Sequence, residues 1–221
     1  LKNFKAGRTA AENCCKLLAE GSYNWFKYQE SIFLLAMHTN EYQAAYEIYS
    51  EVIKNKRFNL LPDNVKEIWK IFAAYLAYLI RFETIKPSAN DSLKNFKLSR
   101  FQNETPVFSK DKKGMNIVIL VAQLLHLLSE GKKSQFIDKV ESLEQYTYKY
   151  LRNDHTLRSH YFIKILLQIP LSGFDKGTFL AKTRAYLEKM SAVPSEAANQ
   201  TNEIEIIPFE ELYQMLESQL R

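Results

Sequence analysis

Glycine and proline are scarce in this chain, with six of each in 221 residues, roughly half of average usage. That shortage excludes collagen-like and low-complexity chains, and it disfavours folds built on many tight turns or on glycine-rich phosphate loops. Cysteine is scarcer still. The two cysteines, Cys14 and Cys15, are neighbours, and adjacent cysteines suit normal disulfide geometry badly. A disulfide-stapled fold is therefore excluded, and a reducing, cytoplasmic setting fits best. Long apolar runs are missing too. The longest, Ile71 to Ile80, is closed by Arg81, and a membrane span needs roughly twenty residues. No secretory signal is visible in the first residues, and Leu1 in place of Met points to a piece of a longer chain. Charge of one sign is modest: the net charge is +5, well short of a protein that coats nucleic acid.

What the chain has in abundance is helical spacing. Trp25, Tyr28, Ile32, Leu35 and Ala36 follow steps of three and four, as do Tyr42, Ala45, Tyr46, Tyr49, Val52 and Ile53. Val65, Ile68, Trp69, Phe72, Tyr75, Leu76 and Leu79 form a third such series. This period predicts amphipathic helices, and no segment alternates long enough for a strand. Gly21-Ser22, Thr39-Asn40, Pro62-Asp63, Gly131 and Gly173 to Gly177 supply the stops and starts. Together they predict nine or ten helices, over about 6–20, 23–38, 41–57, 62–83, 92–101, 115–129, 133–151, 157–169, 178–191 and 209–220. Short connections between helices predict antiparallel hairpins.

Residues 84–113 interrupt the pattern with Pro87, Pro106 and several Asn and Ser. They also carry Leu93, Phe96, Leu98, Phe101 and Phe108, more apolar bulk than a disordered linker holds. They read as an ordered basic and aromatic connector. Residues 1–83 then form a first set of hairpins, and 114–221 a second set packed on the first as one unit.

Asn40 to Ile53 resembles the second helix of a tetratricopeptide repeat, with Ala45, Tyr49 and Val52 at its small, large and apolar positions. Ala11, Cys15 and Leu18 stand thirty-four residues upstream at the same spacing, one repeat length. Phe136, Val140 and Leu143 match more loosely. Where the preceding helix of that repeat carries Trp, Leu, Gly and Tyr, this chain has Gln29, Ile32, Phe33 and Ala36. The resemblance covers about 6–57 and implies an all-α, tetratricopeptide-like α-solenoid. Such repeats bind proteins on the concave face lined by their first helices, which implies Lys27, Glu30, Leu34 and Met37 as partner-binding residues. The chain as a whole also resembles bacterial helical-repeat proteins, which implies a bacterial cytoplasm.

The search for chemistry returns little. No three glycines make a dinucleotide fingerprint, and Gly173-Phe174-Asp175-Lys176-Gly177-Thr178 lacks both the phosphate-loop spacing and a preceding strand. His38, His126, His155 and His160 include no pair at the spacing of a zinc protease. His126, inside Leu124-Leu125-His126-Leu127-Leu128, reads as a core histidine. Three glycosylation-type triplets, at Asn90, Asn103 and Asn199, read as polar loops. Paired carboxylates occur at Glu203 with Glu205 and at Glu210 with Glu211. They sit in a stretch, 196–221, where six acids face Arg221 alone, a net of −5. The connector supplies the opposite sign, with seven basic residues against three acids, a net of +4. If 92–101 is one helix, Lys94, Lys97 and Arg100 align beside Phe96 and Phe101, a weak footprint of nucleic-acid binding.

The sequence thus predicts no catalytic residue, cofactor or metal. It predicts a non-enzymatic scaffold for a protein or peptide partner, with Lys97 and Arg100 as further candidates. The alternatives are the sensory or oligomerisation region of a bacterial regulator and, behind it, a nucleic-acid module using the connector.

Overall fold

The computed structural model describes residues 9, 17–89, 91–105, 115–150, 157–193 and 205–221. All regular structure among them is helical, with no strand. The chain divides between Pro106 and Val107 into two compact units.

The N-terminal unit holds α1 (Tyr23–His38), α2 (Tyr42–Lys54), α3 (Asp63–Arg81) and the short α4 (Leu98–Glu104). Ser22 starts α1 because its hydroxyl accepts from the Trp25 N–H at 3.2 Å, satisfying one of the donors a helix start leaves bare. Asn40, at φ 60°, turns the chain from α1 into α2, a backbone region that asparagine tolerates well. Pro62 and Asp63 open α3, where proline's missing N–H costs nothing. Helix α1 packs on α2, and α2 on α3. The core between them is aromatic: Phe33 stacks on Phe72 at 4.2 Å, and Trp69 meets both rings edge-on. Ala45 and Val52 are fully buried and Tyr49 is half-buried.

The C-terminal unit holds α5 (Met115–Ser129), α6 (Lys133–Tyr150), α7 (Leu157–Leu171), α8 (Lys176–Ala192) and α9 (Phe209–Gln219). Helix α5 is buried all round, Asn116, Gln123 and His126 included, as expected of a central helix. Gly131, at φ 67°, lets the Lys132 N–H reach back to the Leu127 carbonyl at 2.9 Å and end α5. Each helix from α5 to α9 packs on its successor, and α9 also returns to α5. The return contact of α9 on α5 lies outside a purely nearest-neighbour stack.

Four boundaries differ from the sequence reading. Helix α8 begins at Lys176 rather than after Gly177, because the Asp175 side chain accepts from the Thr178 N–H at 2.7 Å and caps it. Helix α7 runs through Pro170 to Leu171. The stretch 92–101 is two pieces: a 3-10 turn over Ser92–Asn95, capped by Asp91, and then α4. Lys94, Lys97 and Arg100 therefore do not share one helical stripe. Leu17 to Glu20 are non-helical, so the helix expected over 6–20 does not reach them, whereas Thr9 is helical. Ala11, Cys14, Cys15, Asn90, 106–113, His155, Asn199 and Glu203 lie outside the described residues.

Candidate functional site

A cleft of about 590 Å³ opens within the N-terminal unit, a size typical of ligand pockets. Helix α3 builds one wall. Lys66, Trp69, Lys70 and Ala73 line it and fall on one face of that helix by their spacing. Tyr49 and Ile53 of α2 and Phe58 of the following turn add apolar surface. Phe96, Lys97, Arg100, Phe101, Glu104 and Thr105 close the other side.

That far side is held by side chains rather than by a helix of any length. Asp91 accepts from the Leu93 N–H at 2.7 Å and from the Tyr46 hydroxyl at 2.5 Å. The Tyr46 oxygen in turn accepts from the Ser88 N–H at 3.0 Å, and Gln43 accepts from the Lys86 N–H. These bonds tie 86–93 to α2. Leu93, Leu98 and Phe101 are buried, and Phe101 packs on Phe96 at 5.8 Å.

The electrostatics of the cleft are one-sided. Four cations line it against one carboxylate, Glu104. Arg100 donates to Glu104 at 2.6 Å and Lys70 lies 3.7 Å from it. The guanidinium hydrogen bond holds the Glu104 carboxyl below its usual range. Lys66 pairs with the exposed Asp63 at 2.8 Å. Lys97 is exposed, and no ion pair joins it to another described residue. Burial, with the negative charge of Asp91 second, pushes the Tyr49 phenol above its ordinary value, so it stays protonated. The buried Trp69 Nε1 and Thr105 Oγ1 have no hydrogen-bond partner among the described residues.

No protein-family model, curated protein or solved structure matches the chain. The site is therefore read from its own geometry. Among the described residues no cluster of three metal-ligating side chains gathers, and no helix is long and apolar enough to cross a membrane.

Of the residues singled out from sequence, Lys97 and Arg100 line this cleft. Lys27 and Glu30 stand elsewhere, on α1, paired to each other at 2.7 Å, with Leu34 half-buried beyond them. Met37 is a correction. It is fully buried, on the same face of α1 as Phe33 and Ala36, and offers no surface to a partner. Trp69, Thr105, Lys66 and Lys70 were missed. Cations at 66 and 70 around Trp69 were the available signal, masked because Trp69 also fits the core stripe.

The C-terminal acids are the second cluster. Arg158 of α7 binds Glu205 with both Nε (3.1 Å) and Nη2 (2.7 Å), and binds both oxygens of Glu210. It also donates to the carbonyls of Met190 and Val193. Glu205 further accepts from the Phe209 N–H at 2.9 Å, and Glu217 pairs with Lys176. Glu205, Glu210 and Glu217 are thus paired inside their own unit. Both oxygens of Glu205 are thus engaged, and through them it ties α7 to the start of α9.

Proposed function

We propose that the chain is a non-enzymatic helical scaffold that binds a protein or peptide segment in the cleft between α2, α3 and α4. Its hairpins are read as tetratricopeptide-like, with Ala45 and Val52 in the close-packing role that this resemblance assigns them. One observation carries the binding reading: a cleft with apolar walls carries four cations against a single carboxylate. Apolar walls give affinity to a side-chain anchor, and an excess of one charge selects the opposite charge in the partner. The groove is then not the α1 surface around Lys27 but the α3 surface around Trp69.

A single-stranded nucleic acid fits less well. Base stacking needs an open aromatic face, whereas Phe33, Phe72 and Tyr49 pack around the Trp69 ring and Phe101 is buried against Phe96.

Selection from a random peptide library tests the reading. The immobilised chain should enrich acidic sequences with an aromatic or aliphatic residue, and a Lys97→Glu/Arg100→Glu variant should fail to retain them. Enrichment of basic sequences, or equal retention by the variant, would contradict it.

A further inference from the structure

Two donors in the cleft lack acceptors. The Trp69 indole N–H and the Thr105 hydroxyl belong to side chains with 0% exposure, both line the cleft, and neither has a hydrogen-bond partner among the described residues. A buried donor left unpaired is costly, and an acceptor arriving with a ligand removes that cost. The indole nitrogen can only donate. The Tyr49 hydroxyl, kept protonated, offers a third donor in the same cleft.

Donors without acceptors select a group made of lone pairs. A carboxylate is such a group: when ionised it accepts and does not donate. A side-chain amide offers one accepting oxygen where a carboxylate offers two, and the indole N–H can make no use of its N–H groups. The lining cations reinforce the choice, since hydrogen bonds to an ionised acceptor are roughly twice as strong as neutral ones. The volume also fits, since about 590 Å³ accommodates an acidic side chain together with an apolar neighbour.

We propose that the cleft takes the carboxylate of an Asp or Glu side chain in an acidic peptide segment, with the Trp69 indole N–H and the Thr105 hydroxyl of its lining as the donors. The apolar walls at Ile53 and Phe96 take the adjacent side chain. This rests on the peptide-binding reading of the cleft and names what that cleft reads.

The chain has two tryptophans, so an ¹⁵N spectrum carries two indole N–H signals, and Trp25→Phe assigns them. The probes are the blocked peptide acetyl-Gly-Leu-Glu-Phe-Gly-amide and its counterpart with Gln in place of Glu. The acidic peptide should move the Trp69 indole signal downfield and bind about tenfold more tightly than the Gln peptide. Thr105→Val keeps the shape and removes a hydroxyl that has no partner to lose, so the fold should be unaffected. It should weaken the acidic peptide about three- to tenfold and leave the Gln peptide unchanged. Trp69→Phe should act in the same direction. Equal binding of the two peptides, with an unmoved indole signal, overturns the carboxylate subsite while leaving the peptide reading intact. Binding of neither peptide overturns both, and a shift of the indole signal by a uridine oligonucleotide instead puts nucleic acid in the cleft.

Discussion

Arg158 in the C-terminal unit, half-buried, and Trp69 in the N-terminal unit, fully buried, are both donors among packed helices. Arg158 reaches four carboxylate oxygens and two backbone carbonyls. The Trp69 N–H has no acceptor among the described residues, and the Thr105 hydroxyl, which also lines the cleft, has no partner among them either. The two regions also differ in charge. Arg158 is outnumbered by the acids it holds, whereas the cleft has four cations and one acid. Buried polar groups in a stable fold are nearly all paired, so the Arg158 cluster reads as a finished piece of structure. The cleft reads as one half of an interaction. Unbalanced charge alone would not distinguish them, since it also marks an ordinary solvated face. Unbalanced charge next to orphaned buried donors does.

The largest effect should come from breaking the finished cluster. Arg158→Met keeps the apolar stem and strands Glu205, whose side chain is only 8% exposed. Breaking a buried pair by removing one partner costs about 3–5 kcal/mol. We expect the lower end, because Glu210 is partly solvated, read as a lower urea midpoint in the far-UV circular dichroism. The same cluster sets an acid limit. Burial acts to raise the Glu210 pKa, but the Arg158 hydrogen bond and charge outweigh it and hold the group below its ordinary value. A depressed carboxylate stabilises the fold above its unfolded pKa, and that stabilisation fades as pH falls through the folded value. Arg158→Met should therefore flatten the acid limb of the stability curve. An unchanged limb would mean that Glu210 contributes nothing through Arg158.

A second variant asks whether the N-terminal unit is loosely built everywhere or open only at the cleft. Ala45 has 0% exposure in the α1–α2 pair. Leucine there would overpack the contact and destabilise by about 1–3 kcal/mol. An unchanged melting temperature would mean that this layer has room to spare and would undermine the tetratricopeptide alignment at Ala45.

The fold was legible where periodicity and punctuation agreed. Helices α1, α2, α3 and α5 to α9 follow the predicted spans to within about three residues at either end. The apolar period of each helix and the capping at its ends both derive from the same local physics. Where tertiary contacts set the structure, sequence reading failed. The break at Phe96 and Lys97 depends on Asp91 capping the 3-10 turn while also accepting from Tyr46, forty-five residues away in sequence. Met37 fits a groove or a core equally well by spacing alone. Trp69 and Thr105 emerge only once both walls of the cleft are in place, since nothing local reveals that a donor lacks its acceptor. Arg158 carries no motif, and its partners arrive from forty-seven and fifty-two residues further along.

A smaller effect is expected at the hinge between the cleft and its support. Tyr46→Phe removes one oxygen that both accepts from Ser88 and donates to Asp91. The helices should stay intact, with a global loss of about 1–2 kcal/mol. The sharper readout is local. Amide exchange at Leu93 and Phe96, on the far wall, should accelerate more than exchange in α3. Uniform acceleration would show that the wall is not a separate element hung on Tyr46 but part of one cooperative block.

The smallest effect, and the one that touches the comparison most directly, concerns Glu104. It is the single acid in the cleft and already engages Arg100 and Lys70. In the Arg158 cluster an acid completes the site. In the cleft, Glu104 acts as an internal competitor, occupying cations that an acidic partner would otherwise meet. The Arg100 hydrogen bond lowers its carboxyl below the ordinary carboxylate value, so it competes at any physiological pH. Glu104→Gln removes the charge and keeps the shape. Because Arg100 is exposed and the pair is screened by solvent, the gain should be modest: about a two- to fourfold tighter hold on an acidic peptide, shrinking as salt is added. Stability should barely move, since exposed i,i+4 pairs contribute little. Weaker binding in Glu104→Gln would reverse the reading. Glu104 would then be positioning Arg100 for the ligand, and the cleft would be a finished arrangement of the Arg158 kind.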